Sequence, residues 1–253
     1  MDSVFSLKDK VAIITGARRG IGKVISLVFA AAGADVAVCD LIEGSELETV
    51  AEEVYKLGRK SLSIQVDISK KNDVEDMVKK VLNRFGKIDI LVNNAGVFND
   101  KMMMELPEDD WDKVLSINLK GYYLCSQAVG KEMIKQKKGS IVNMASRNAV
   151  QVEKGRGAYC ISKAGVLMLT RVLARELGEY NIRVNAIGPG LVETEMTREP
   201  RSRPNFMEQL KKIVPLERTA KPKEIAHIAV FLASEASSYI TGHMILADGG
   251  RGA

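Results

Sequence analysis

Short, continuous apolar runs alternate along this chain with longer stretches whose apolar positions recur every three or four residues. Lys10–Thr15 (KVAIIT) is the first such run, the pattern of a strand buried on both faces of a parallel sheet. A helix follows with Ile21, Ile25, Val28 and Phe29 on one side and stops at Gly33. Asp35–Cys39 (DVAVC) is a second strand, ending at Asp40. Ser45 and Glu48 have the spacing of a capping box that opens a helix running to Gly58. Ser61–Val66 (SLSIQV) reads as a third strand leading to Asp67, and Val74, Met77, Val78, Val81, Leu82 and Phe85 then share one helical face closed by Gly86. Ile88–Val92 is a fourth strand. Pro107 suits the first position of a helix that carries Trp111, Val114 and Leu115 towards Asn118. A further apolar run, Ser140–Ala145, places Ser146 at the carboxyl end of a strand. Strands alternating with helices predict an α/β protein with a doubly wound parallel sheet, a Rossmann fold.

A length of 253 residues fits one such domain, spanning 1–253. The chain is 46% hydrophobic and 27% charged, ordinary globular composition, so neither disorder nor a membrane class is expected. The N-terminal MDSVFSLKDK has no apolar signal region and no stretch approaches 18 uninterrupted apolar residues, which points to the cytoplasm. Cys39, Cys125 and Cys160 are scattered and odd in number, so free thiols are expected. His227 and His243 lack companions at ligand spacing, and no metal site is predicted. A net charge of +5 without interleaved aromatics gives no sign of nucleic-acid binding.

The chemistry concentrates in Ser146–Lys163 (SRNAVQVEKGRGAYCISK). Tyr159 and Lys163, four apart on a helix, share a face, and an ammonium beside a phenol favours the phenolate. Tyr159 thus becomes a candidate acid/base and Ser146 a hydroxyl able to hold a carbonyl or carbinol oxygen. Gly16, Gly20 and Gly22 lie at the first strand-to-helix turn, where backbone N–H groups can receive a pyrophosphate. Their spacing departs from G-x-G-x-x-G. Asp40, at the end of the second strand, can accept from ribose hydroxyls; the alternative is a turn or cap residue.

Thr15–Gly22 (T-G-x-x-x-G-I-G), Asn93–Gly96 (N-N-A-G), Asn118, Ser146, Y-x-x-x-K at Tyr159–Lys163 and Pro189-Gly190 occur in the order and spacing of one family. On these motifs the chain resembles the short-chain dehydrogenases/reductases from Lys10 almost to its C-terminus. The resemblance implies a nicotinamide cofactor held by Gly16, Arg19, Gly20, Ile21, Gly22, Asp40, Asp67, Asn94, Ala95, Gly96, Tyr159, Lys163, Pro189, Gly190 and Thr194. It implies a catalytic set in which Tyr159 is the acid/base, Ser146 orients the substrate oxygen, Lys163 holds the nicotinamide ribose and Asn118 anchors a relay water. Arg19 resembles members that bind NADP and Asp40 members that bind NAD. Weighing the two favours NAD(H), because a carboxylate repels a 2′-phosphate. The expected activity is NAD(H)-dependent interconversion of a secondary alcohol and a ketone. The alternatives are an NADPH-dependent 3-oxoacyl-thioester reductase and a catalytically silent nucleotide-binding regulator. A homotetramer or homodimer is implied, with a variable substrate lid at about 191–223. Within it, Arg198–Lys223 holds eight Lys/Arg against three Glu, either a solvated face or a device for an anionic substrate. Met102–Met104 reads as apolar site lining or as packing.

Overall fold

The computed structural model describes residues 3–252, so the outer limits of the sequence-derived domain, Met1, Asp2 and Ala253, lie outside the described residues. Seven parallel strands, β1 (Val11–Thr15), β2 (Asp35–Asp40), β3 (Ser61–Gln65), β4 (Ile90–Asn93), β5 (Gly139–Met144), β6 (Ile182–Pro189) and β7 (Met244–Ala247), form one sheet in the order β3-β2-β1-β4-β5-β6-β7. Strand order reverses between β1 and β4. That switch point opens a crevice at the carboxyl ends of the strands, where open α/β sheets take their ligands.

The apolar runs divide by the twofold period of the strand. Val11 and Ile13 of β1 face a core shared with α3 (Lys71–Phe85), α5 (Gly121–Gln136) and α6 (Gly157–Leu177), while Ala12 and Ile14 face one shared with α1 (Gly20–Ala31), α2 (Ser45–Lys56) and α9 (Pro222–Ala233). Burial on both faces is why the strands read as unbroken apolar runs rather than alternating ones. The remaining helices are α4 (Glu108–Leu115), α7 (Arg198–Arg201) and α8 (Phe206–Ile213). The helical segment Gly157–Tyr180 is long and apolar enough to cross a bilayer by length and composition. It packs on β6, α4 and α5 as a core helix.

Several boundaries differ from the pattern. The fourth strand begins at Ile90 rather than Ile88, and the third stops at Gln65. No capping box forms at Ser45: Gly44 is the cap residue, at φ 131°, and no side chain caps α2. Pro107 sits one place before the first helical residue of α4. Met102, Met103 and Met104 are exposed, Met104 almost fully, so the triplet is not core packing. Met103 instead lies against Gly157 at the start of α6.

Candidate active site

The β1–α1 turn, the end of β4, the α4–α5 connection, the end of β5 and the start of α6 supply the candidate residues. The β1–α1 turn brings Gly16, Gly20, Ile21 and Gly22. Gly16 is at φ 65° and Gly20 at φ 59°, a region L side chains avoid, and a Cβ on Gly16 would stand 2.7 Å from the Ala95 Cα. No side chain caps α1 and no acidic residue lies in its first turn, which leaves its N–H groups and positive dipole end to an anion. The turn is tied to the end of β4. Asn94 Nδ2 donates to the carbonyls of Thr15 and Gly16, each at 3.0 Å, and the N–H groups of Asn94 and Ala95 donate to Thr15 Oγ1 at 3.0 and 3.2 Å. Gly96 approaches Lys163 and Asn118 so closely that a Cβ there would lie 3.7 Å from Lys163 Nζ and 3.3 Å from Asn118 Oδ1.

Asn118 occupies a π turn, Ser116–Lys120, between α4 and α5. Both of its N–H donors are used: Nδ2 donates to Val97 O at 2.8 Å and Ser162 Oγ at 3.1 Å, while Oδ1 accepts from Val97 N at 2.9 Å. Lys163 is buried, with Nζ donating to Met144 O at 2.7 Å and to Tyr122 Oη at 3.4 Å, 5.7 Å from the centre of the Tyr159 ring. Ser146 leaves β5 in extended conformation and accepts from Asn148 N at 3.1 Å.

The electrostatics differ from the simple picture of a lysine acting on a phenol. Burial pushes the Tyr159 hydroxyl up, hydrogen bonding with Ser146 draws it down, and the leading cation acting on it is Arg156. Burial also lowers the Lys163 ammonium to about 7. Desolvation is the leading cause at both groups.

At the adenosine end, Asp40 closes β2 as expected, but the arginine beside it is Arg18, not Arg19. Arg18 N donates to Asp40 Oδ2 at 3.3 Å, its Nε lies 3.6 Å from Oδ1, and its guanidinium also pairs with Glu46. Arg19 is the exposed cap position of α1 with no side-chain bond to the helix. Asp67 follows β3 and accepts from Ser69 Oγ at 2.6 Å; this and Lys70 bring its carboxyl below the usual range although burial opposes them. Pro189 ends β6 beside Ala247, and a Cβ on Gly190 would meet the Asp248 backbone at 2.7 Å. Thr194 faces the glycine turn, its Cγ2 standing 3.6 Å from where a Gly20 Cβ would be. The contacts above bring Gly16, Gly20, Gly22, Asn94, Ala95, Gly96, Asn118, Lys163 and Thr194 into one neighbourhood, while Asp40, Asp67, Pro189 and Gly190 lie at or just beyond the carboxyl ends of their own strands. Sequence reasoning passed over Thr15, Arg18, Tyr122 and Arg156. Thr15 was part of a matched motif, whereas nothing local marks Tyr122 as the partner of Lys163.

The basic segment after β6 is largely self-neutralised. Arg198 pairs with Glu195 at 3.2 Å, Arg203 with Glu199 at 3.1 Å, Lys212 with Glu208 at 2.7 Å and Arg218 with Glu224 at 2.6 Å. Arg201 spends its donors on Thr194 O and Thr197 Oγ1. The three cysteines are free and buried, and no cluster of metal-binding side chains exists among the described residues.

A family model described as enoyl-(acyl carrier protein) reductase matches residues 16–251. A solved short-chain type dehydrogenase/reductase from Mycobacterium marinum superposes with a TM-score of 0.92 at 36% identity, over 98% of this chain and 99% of its own. The chain belongs to the short-chain dehydrogenase/reductase family. Curated relatives of this dehydrogenase/reductase include a 3-oxoacyl-[acyl-carrier-protein] reductase of Thermotoga maritima, 41% identical over 96% of this chain and 98% of the relative. An NAD-dependent glycerol dehydrogenase of Listeria innocua is 42% identical, over 98% of this chain and 96% of the relative. The protein is thus an NAD(P)-dependent oxidoreductase acting on a CH–OH group or its ketone.

Proposed function

We propose that this dehydrogenase/reductase interconverts a secondary alcohol and a ketone with NAD(H), using Tyr159, Ser146, Lys163 and Asn118. The observation that carries the reading is the convergence of these four side chains beside an uncapped glycine turn. A bound nicotinamide supplies or takes the hydride. Tyr159 gives its phenolic proton to the substrate oxygen in reduction and recovers it in oxidation. Ser146, hydrogen bonded with Tyr159, orients that oxygen and stabilises charge building on it. Lys163 holds the cofactor ribose, and its proton lies close to neutrality. Asn118 serves the proton relay from a π turn, which disrupts the regular carbonyl ladder and offers a backbone acceptor to a water while its side chain ties the turn to Val97 and Ser162.

Gly16, Gly20, Ile21 and Gly22 cradle the pyrophosphate, Asp67, Asn94, Ala95 and Gly96 line the adenine and ribose side, and Pro189, Gly190 and Thr194 border the nicotinamide. Residues 191–223 act as the substrate lid. Their ends are pinched by a bridge between Val192 and Ala220, which makes the intervening α7 and α8 one excursion from the sheet. The buried free thiols suit a reducing cytoplasm. Tyr123, Ile161, Met168 and Val172 form exposed apolar positions on α5 and α6, consistent with a homodimer or homotetramer.

NAD(H) is favoured because Asp40 would meet a 2′-phosphate with like charge, and Arg18 is already engaged by Asp40 and Glu46. The reading as an NADPH-dependent 3-oxoacyl-thioester reductase draws on the name of the Thermotoga relative. Initial rates at 340 nm with secondary alcohols, sugars and 3-oxoacyl thioesters separate them. A higher kcat/KM with NAD(H) is expected, with Asp40→Ala narrowing the ratio by removing the repulsion. A wild-type preference for NADPH and a thioester overturns it.

A further inference from the structure

A compact group of three arginines borders the proposed reaction centre. Arg147 directly follows Ser146, and its side chain is only 6% exposed. Arg156 directly precedes α6 and Tyr159. Both turn onto one carboxylate: Glu153 Oε2 lies 3.1 Å from Arg147 Nη2 and 3.6 Å from Arg156 Nη1. Arg147 also donates to Gln151 Oε1 at 2.8 Å. Phe98 links the group to the phenol, its ring standing 5.3 Å from the Arg156 guanidinium carbon and 6.4 Å, edge-on, from the Tyr159 ring. The C-terminal tail completes the cluster. A Cβ at Gly252 would lie 3.3 Å from Gln151 Nε2 and 2.8 Å from Asp248 Oδ2, which lays the tail against the Arg147 edge.

The third guanidinium, Arg251, is half-buried there and has neither an ion pair nor a side-chain hydrogen bond among the described residues. It lies in the field of Arg147, Glu153, Arg156 and Asp248, and burial followed by repulsion from Arg147 lowers its pKa. Asp248 does not satisfy it: Oδ1 accepts from Gly250 N at 3.0 Å, and Oδ2 is buried with no partner. Among the described residues three cations face two carboxylates, a surplus of one positive charge beside the crevice. Partly desolvated like charges held together without a counter-ion are costly, and guanidiniums favour planar two-oxygen acceptors.

We infer that Arg251, with Arg156 and Arg147, binds a carboxylate carried by the substrate, making the preferred substrate a short hydroxy acid or oxo acid. This rests on the alcohol–ketone reading above. The surplus of one charge matches a monoanionic carboxylate better than a phosphate dianion. Arg147 and Arg156, fixed by Glu153 on the segments that bear Ser146 and Tyr159, set the distance between carboxylate and carbinol. Arg198 and Arg203, after β6, are each matched one-for-one by a glutamate and carry no surplus charge there.

The test compares 3-hydroxybutanoate and 4-hydroxypentanoate with their methyl esters, and glycerol with glycerol 3-phosphate, in wild type, Arg251→Gln and Arg251→Lys. Wild type should favour at least one acid over its ester by about tenfold or more in kcat/KM, the worth of one charge-assisted contact of about 1.4 kcal/mol. Arg251→Gln should collapse that ratio through KM, and Arg251→Lys should restore part of it. Butanoate, which cannot react, should raise the Tm of cofactor-free wild type more than butanamide does, with the difference lost in Arg251→Gln. Turnover of esters and acids at equal efficiency, with equal Tm shifts, overturns the inference and leaves the alcohol–ketone reading intact, the arginines then serving only to clamp the tail. A preference for glycerol 3-phosphate assigns the cluster to phosphate and also overturns it. No turnover of any alcohol with either cofactor overturns both.

Discussion

Lys163 shows how burial and charge compete at a single residue. Its folded-state pKa is lowered from 10.5 to about 7 by desolvation, whereas the unfolded chain keeps an ordinary lysine value. Between about pH 7 and 10.5 the unfolded chain therefore holds a proton that the folded chain has released, and stability of the cofactor-free protein rises with pH. Below about pH 7 the cost of burying the ammonium is fully present. Lys163→Met removes this dependence, so its Tm relative to wild type should be most favourable near pH 6.5 and fall steadily towards pH 10. A constant difference across that range contradicts the assignment. The i, i+4 spacing with Tyr159 was legible in the sequence because helix geometry alone places the two on one face. The identity of the arginine at Asp40 was not. Arg18 and Arg19 are chemically identical neighbours, and only the backbone path of the β1–α1 turn sends one towards β2 and leaves the other exposed.

Among the elements, the β1–α1 turn has the least tolerance. A Cβ on Gly22 would collide with the Gly16 carbonyl oxygen, an atom of the backbone that forms the cradle. Gly22→Ala must displace that strand end, and NADH affinity measured by fluorescence titration should fall by about tenfold or more, roughly 1.4 kcal/mol. Unchanged affinity would remove this turn from the cofactor site. The first five strands were readable from the sequence to within two residues, since strand and helix periods leave separate signatures, whereas β6, β7 and the helices α5 and α7–α9 were not placed from it. The π turn at Ser116–Lys120 was not, because one inserted residue in a helical ladder has no compositional mark. Ser45 failed as a cap for a related reason: the S-x-x-E spacing was present, but Gly44 at positive φ took the cap position and moved Ser45 inside the helix.

For the whole molecule, sheet order and the two-sided core follow from the alternation of elements, whereas assembly and the arginine cluster depend on parts distant in sequence. Glu153, Asp248 and Arg251 meet only through folding of the C-terminal tail. The outer face of α6 leaves Met168 55% exposed and Ile161 and Val172 similarly so, while its opposite face is buried in the core. Such a contiguous apolar face on a helix suits subunit contact. Met168→Glu should lower the mass measured by light scattering in solution, with Tm decreasing as subunit burial is lost. An unaltered oligomer, or a wild-type monomer, removes this face from the assembly.

The central claim is that Tyr159 moves the proton while the rest of the site holds cofactor and substrate. The most direct measurement is kcat of Tyr159→Phe on the best alcohol with saturating NAD, alongside the Kd for NADH of the same variant. Loss of one acid/base hydroxyl predicts a fall in kcat of about 10²–10⁴-fold, with Kd within about twofold of wild type. Turnover near the wild-type rate would contradict it.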